Sequence, residues 1–229
     1  MADQRTPQQE RSQARRTVIL AAAAEVFDRV GFGSASLSEI AKQAEVGQGL
    51  IYFYFRTKEA IALAVIEEQN RRTFESMSSG EDDVRTPMVR LIEASRSIGE
   101  LLLTDPIVRA GIRLSLEQGV FAEPTSEFYD DWIKGVIDGF AAAQGSGELR
   151  DVVPVADLGA SVVAYFTGVQ LVSNVRNERK DLMRSLETMW AILLNSVVAE
   201  DARERLTVAL RETFGADRPH GRIASDAVT

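Results

Sequence analysis

Residues 36–59, SLSEIAKQAEVGQGLIYFYFRTKE, leave few folds open. Ser36 and Glu39 write an S-x-x-E capping box, which predicts a helix starting at Leu37. Leu37, Ile40, Ala41 and Ala44 recur at three- and four-residue spacing and give that helix one apolar face. Val46-Gly47 breaks the pattern and supplies a turn. A second short helix is predicted from about Gln48 to Tyr54, and an aromatic run then leads into a third helix from Lys58. Two short helices across a tight turn are the layout of a helix-turn-helix DNA reader, whose second helix enters the major groove. A helical hairpin inside a bundle would share the cap but would not call for the aromatic run.

Base edges are read from near the N-terminus of the second helix. Here those residues are Gly47, Gln48 and Leu50. The Gln48 amide suits an adenine edge. Gly49 permits close backbone approach, as to a phosphate. Arg56 and Lys58 follow, positioned for phosphates rather than bases. The segment resembles the DNA-binding domain of the TetR family of bacterial repressors. The resemblance is carried by Ser36, Ile40, Ala41, Ala44, Val46, Gly49, Tyr52, Phe55, Lys58 and Glu59. Upstream, Ile19, Ala22, Ala23, Phe27 and Gly31-Phe32 look like that family's first helix and the turn after it. Four positions depart from the family pattern: Glu45 replaces Gly, Gly47 replaces Ser or Thr, Ile51 replaces Leu and Tyr54 replaces His. A glycine at 47 lacks a hydroxyl that would cap the helix and touch phosphate. The resemblance implies DNA contacts from Arg15, Ser36, Ser38, Gly47, Gln48, Gly49, Leu50, Tyr52, Tyr54 and Lys58.

Composition narrows the function classes. The chain has 229 residues and no Cys, which excludes cysteine nucleophiles, disulfides and thiolate metal sites. Its single His, His220, lies in a polar tail, so neither a Ser-His-Asp triad nor a His-ligated metal is expected. Asp130 and Asp131 are adjacent, point to different helix faces and read as solvated. No enzyme chemistry, cofactor or metal is expected. No signal peptide and no long apolar run stand out, which predicts the cytoplasm and no membrane partner. Residues 1–60 carry net charge +1 and the remainder −9, an acidic body behind a near-neutral head. Arg11, Arg15 and Arg16 read either as a basic arm before the first helix, reaching DNA, or as a solvated tail. Phosphate contacts would make binding fall steeply with salt.

The rest reads as helices punctuated by Gly and Pro, an all-α chain. Predicted spans are 58–77, 88–103, 106–118, 126–144, 155–176, 181–198 and 201–213, with Asp105 capping a helix opened by Pro106. A helix-turn-helix domain with a basic arm is assigned to 1–57, a ligand-binding and dimerisation domain to 58–214, and a disordered tail to 215–229. Helices 155–176 and 181–198 are apolar over more than one face, which asks for burial on two sides. That fits a symmetric dimer, which also suits two half-sites of a pseudo-palindrome, or else a fully buried monomer core. TetR-type regulators dimerise through their last two long helices, which the resemblance extends to these.

Four body segments, 101–121, FYDDWIKGV at 128–136, GELRDVVP at 147–154 and YFTGVQLVS at 165–173, look like the γ-butyrolactone receptors of actinobacteria. Those receptors bind small lactones, butenolides or furans and then release promoters of antibiotic and differentiation genes. A lactone pocket should be apolar with a few orienting polar groups. Trp132 reads as a wall, as in the resembling receptors, or as a core Trp whose N–H meets a carbonyl. Thr167 reads as a hydroxyl donor or as a bond to its own preceding turn. Gln69 reads as a linker-helix amide or a surface residue. Phe121, Phe128 and Tyr165 read as further walls or as core. A same-fold repressor answering an antibiotic, another small molecule or no lactone is the alternative.

Overall fold

The protein is described from a computed structural model covering residues 7–78, 85–117 and 127–215. These residues form α1 (Pro7–Ser34), α2 (Leu37–Gln43), α3 (Gln48–Tyr54), α4 (Lys58–Ser78) and α5 (Pro87–Thr104). They continue with α6 (Pro106–Leu116), α7 (Glu127–Gly145), α8 (Val155–Asn177), α9 (Leu182–Val197) and α10 (Glu200–Gly215). The fold is all-α, with one isolated antiparallel bridge between Leu149 and Val198 among the described residues. Predicted helix ends fall within two residues of those observed. The predicted tail beyond Gly215 lies outside the described residues. The chain sorts into two compact units, residues 1–81 with 100–131 and residues 82–99 with 132–229.

In the first unit, Ser36 caps α2 by accepting from the Glu39 N–H at 3.1 Å. The Glu39 carboxylate does not close the box; it accepts from Arg29 on α1 at 2.8 Å. At the other end of α2, the Val46 N–H reaches the Ala41 carbonyl and the Glu45 N–H reaches the Lys42 carbonyl. This paired closure requires a left-handed residue, and Glu45 takes it at φ +54. The family's glycine at this position has its physical reason there. Arg11, Arg15 and Arg16 sit on α1 itself, so they form no separate arm before the first helix.

The core of this unit does not end at residue 57. Ile19, Val26 and Phe27 of α1, Ile40 of α2 and Ile51 of α3 share a buried cluster with Ile61 and Val65 of α4 and with Ile107, Ala110 and Leu114 of α6. Asp105 starts α6 by accepting from the Ile107 N–H at 2.8 Å. Its second oxygen takes Arg72 of α4 at 2.6 Å. One turn on, Arg109 pairs with Asp28 of α1 at 2.7 Å, and Arg113 donates to the Asp28 carbonyl, also at 2.7 Å. Two glycines permit this packing. α1 kinks at Gly31 (φ +76), where a Cβ would lie 2.8 Å from the Arg113 guanidinium. A Cβ on Gly111 would lie 2.4 Å from the Gln69 Cβ, so α4 and α6 cross at a spacing no larger residue allows.

In the second unit, the buried Glu148 carboxylate accepts from the Met88 N–H at 3.1 Å and from Arg205 at 3.0 Å, tying α5 and α10 to the turn after α7. Trp190 of α9 donates its indole N–H to Ser95 of α5. Trp132 of α7 meets Phe166 of α8 edge-to-face at 5.4 Å. α8 is the apolar helix expected over 155–176. By length and composition it is apolar enough to cross a membrane, and 33% of its most apolar stretch is buried.

Glu45 carries the strain of a conformation that suits glycine. Glu45→Gly is expected to raise unfolding free energy by about 0.5–1 kcal/mol, read as a higher midpoint in urea at an unchanged slope.

Candidate nucleic-acid interface

α3 is seven residues long and is held from one side. Ile51 and Phe55 are buried, and Leu50 and Tyr54 pack partly against the same core. Tyr54, where the family has His, shares a hydrogen bond with Ser12 of α1 at 3.1 Å. Arg16 lies over the Phe55 ring at 5.3 Å. The opposite face presents Gln48, Gly49, Tyr52 and Phe53, spaced so that all four share one side of the helix. Tyr52 is 55% exposed and Phe53 76%. The aromatic run therefore divides, with residues 52 and 53 turned outward and 54 and 55 turned inward. Phe53 escaped the sequence reading because the pattern offers no fixed residue type there; an aromatic one position past Tyr52 on the same face was the available signal.

Gly47 and Gly49 have negative φ, and an added Cβ at either would meet open space. Nothing inside the protein requires glycine at those two positions. Ser38 on α2, Arg15 on α1 and Arg56 after α3 are exposed. The Ser36 hydroxyl oxygen accepts the capping bond from the Glu39 N–H and keeps its own O–H as a donor.

Lys58 departs from the phosphate expectation. Its ammonium donates to the carbonyls of Phe32 at 2.7 Å and Ala35 at 2.8 Å, and sits 4.4 Å from the Phe32 ring centre. Those carbonyls lie in the last turn of α1 and in the turn to α2, so the charge binds the head together. On α4, hydrogen bonds from Arg71, then from Arg72, hold the Glu68 carboxyl down to about 2.

The sensing candidates separate. Gln69 is fully buried, against the surface reading, and donates to Thr73 at 3.1 Å in the first unit. Phe128 is buried edge-to-face with Phe74 at 5.9 Å in that unit. In the second unit, Trp132 is buried against Phe166, while the Thr167 hydroxyl bonds the Val163 carbonyl of its own preceding turn at 2.9 Å. Tyr165 is not on the Trp132 side of α8. It faces outward beside an open groove of about 460 Å³ lined in part by Val172, Arg176, Asp181 and Ser185. Phe121 lies outside the described residues.

Residues 19–65 match the family model described as bacterial regulatory proteins, tetR family, and residues 85–199 match the tetracyclin repressor-like C-terminal domain. The chain belongs to the tetR family of bacterial regulatory proteins. This tetR-family chain is thus a regulator and not an enzyme. It is 33% identical over 217 residues to the A-factor receptor protein of Streptomyces griseus, covering 91% of this chain and 76% of that protein. Its fold is similar to a solved gamma-butyrolactone receptor (ArpA like protein), with TM-score 0.79, 26% identity and coverage of 90% of this chain and 99% of that one. It is also similar to CprB of Streptomyces coelicolor, solved in complex with its biological operator sequence, with TM-score 0.77, 27% identity and the same coverage.

The Lys58 geometry separates a fold-holding lysine from a phosphate-binding one. Lys58→Gln is expected to cost roughly 1–3 kcal/mol of stability, read by denaturant titration. The slope of log K against log salt for DNA binding should stay unchanged, where loss of a phosphate contact would reduce it by about one.

Proposed function

We propose that the chain is a ligand-responsive transcriptional repressor. It binds a pseudo-palindromic operator as a homodimer, and a small diffusible γ-butyrolactone, butenolide or furan releases it, switching on genes of antibiotic production or differentiation in the cytoplasm. The observation that carries this reading is the outward face of α3, a polar amide and two exposed aromatics, on a chain similar over 91% of its length to the A-factor receptor.

On the operator, Gln48 pairs its amide with an adenine edge, and Phe53 lays its ring on a thymine methyl. Tyr52, Ser38 and Arg15 contact the backbone and set the register. Residues 1–57 supply the reading surface, and 58–214 sense and dimerise. Dimerisation through α8 and α9 is supported by Leu171, Val172 and Val175 on α8 and Ile192 on α9, apolar side chains left exposed, Val175 at 84%. Such a strip asks for a partner surface, and an isologous second copy supplies one. The pair then matches two half-sites about one helical turn or a multiple apart.

Release follows from population shift. An effector that binds better when α4 and α6 are displaced favours that state, and with α6 clamped to α1 the reading helix moves along. Coupling is reciprocal, so operator DNA weakens effector binding by the same factor.

A gel shift with the DNA upstream of the chain's own gene tests this. The fragment is retarded, and a hydroxylated γ-butyrolactone at saturation frees it; unchanged affinity at saturation contradicts the reading. Trp132→Ala should abolish that release and leave DNA binding intact, whereas loss of both marks Trp132 as structural. Phe53→Ala should weaken operator binding about tenfold with the melting temperature unchanged.

A further inference from the structure

α8 turns Val162, Val163, Phe166, Gln170 and Ser173 into the interior of the second unit. Three polar groups lie along or beside this face, and two are satisfied locally. Thr167 bonds the Val163 carbonyl, and Ser173 donates to Asp181 across the turn to α9. Gln170 differs. It is 1% exposed, and neither its amide nitrogen nor its amide oxygen has a hydrogen-bond partner among the described residues. A carboxamide withdrawn from water with both ends unpaired destabilises a core, and Leu would fill similar space without that cost. Gln170 is one turn beyond Phe166 on the same helix face, and Phe166 stands edge-to-face against Trp132. An unpaired donor and acceptor thus stand in line with an aromatic wall.

We infer that Gln170 is the polar anchor of the effector site. The assignment rests on the effector reading above. Its Oε1 accepts from a ligand hydroxyl, and its Nε2 donates to a carbonyl or ring oxygen. This chemistry selects an uncharged molecule with an apolar body, carrying an oxygen acceptor within a few ångströms of a hydroxyl donor. A carboxylate is disfavoured, because a neutral amide does not offset its desolvation. Specificity follows from the same asymmetry: a site built to pair a hydroxyl rejects the analogue that lacks it far more strongly than an apolar site does.

The test uses full-length protein, wild type and Gln170→Leu, with two probes read by tryptophan fluorescence. One probe is a γ-butyrolactone bearing an alkyl chain and a hydroxymethyl group; the other has a methyl in place of the hydroxymethyl. The wild type should prefer the hydroxymethyl probe. Gln170→Leu should lose about tenfold or more of its affinity for that probe and much less for the methyl probe, so the preference collapses. Without ligand, Gln170→Leu should melt at or above the wild-type temperature. An undiminished preference in the variant overturns the assignment while leaving the effector reading in place. A variant that melts several degrees lower, or does not fold, shows that the amide serves the core and also overturns it. Wild-type protein that binds neither probe overturns the lactone reading and the assignment with it.

Discussion

Asp28 is held twice by α6. Its carboxylate takes Arg109 and its carbonyl takes Arg113, each at 2.7 Å. The residue sits near the end of α1, where the chain turns into α2. Two seven-residue helices have no stability of their own, because helices that short do not survive nucleation cost in water. They persist because Ile40 and Ile51 enter a cluster that Ile61 and Val65 of α4 and Leu114 of α6 complete. The pose of the outward face of α3 is thereby a property of α4 and α6 as much as of the turn that presents it.

Much of this was legible in the sequence, and the reasons are local. Capping residues, glycine breaks and Asp105-Pro106 act within a turn of the chain, so they mark helix ends well. The meaning of Glu45 was only half legible: the departure from glycine could be seen, but the left-handed backbone behind it could not. Contacts distant in sequence escaped. Arg109 and Asp28 lie 81 residues apart, and no periodicity links them. Lys58 illustrates the limit at the site. A lysine beside a reading helix suggests phosphate, and only the placement of the Phe32 and Ala35 carbonyls shows it turned inward. Tyr165 and Gln170 share a helix that is apolar nearly all round, where hydrophobic pattern alone does not say which side faces in. An apolar helix with a second face to cover gives that ambiguity as a matter of course.

The two uses of α8 are separable by face. Its outward residues carry apolar side chains that a second copy would cover, and its inward residues pair Phe166 with Trp132 and place Gln170 without a partner. A helix so divided can answer to a ligand on one side and to a protomer on the other. α3 is divided by face as well, with Ile51 and Phe55 turned into the core and Tyr52 and Phe53 turned outward.

α1, α2 and α3 form one cooperative body with α4 and α6 through their shared buried cluster. Native-state hydrogen exchange tests it most directly, by comparing the opening free energies of amides in α1 between Ile19 and Phe27 with those in α6 between Ala110 and Leu114. A common value is expected in the wild type, with an equal fall in both sets when Asp28→Ala removes the carboxylate bond to Arg109 and leaves the carbonyl bond to Arg113. Amides of α6 that open at lower free energy while those of α1 stay protected, or a loss confined to α6 in the variant, would contradict it and make the N-terminal helices a self-sufficient domain.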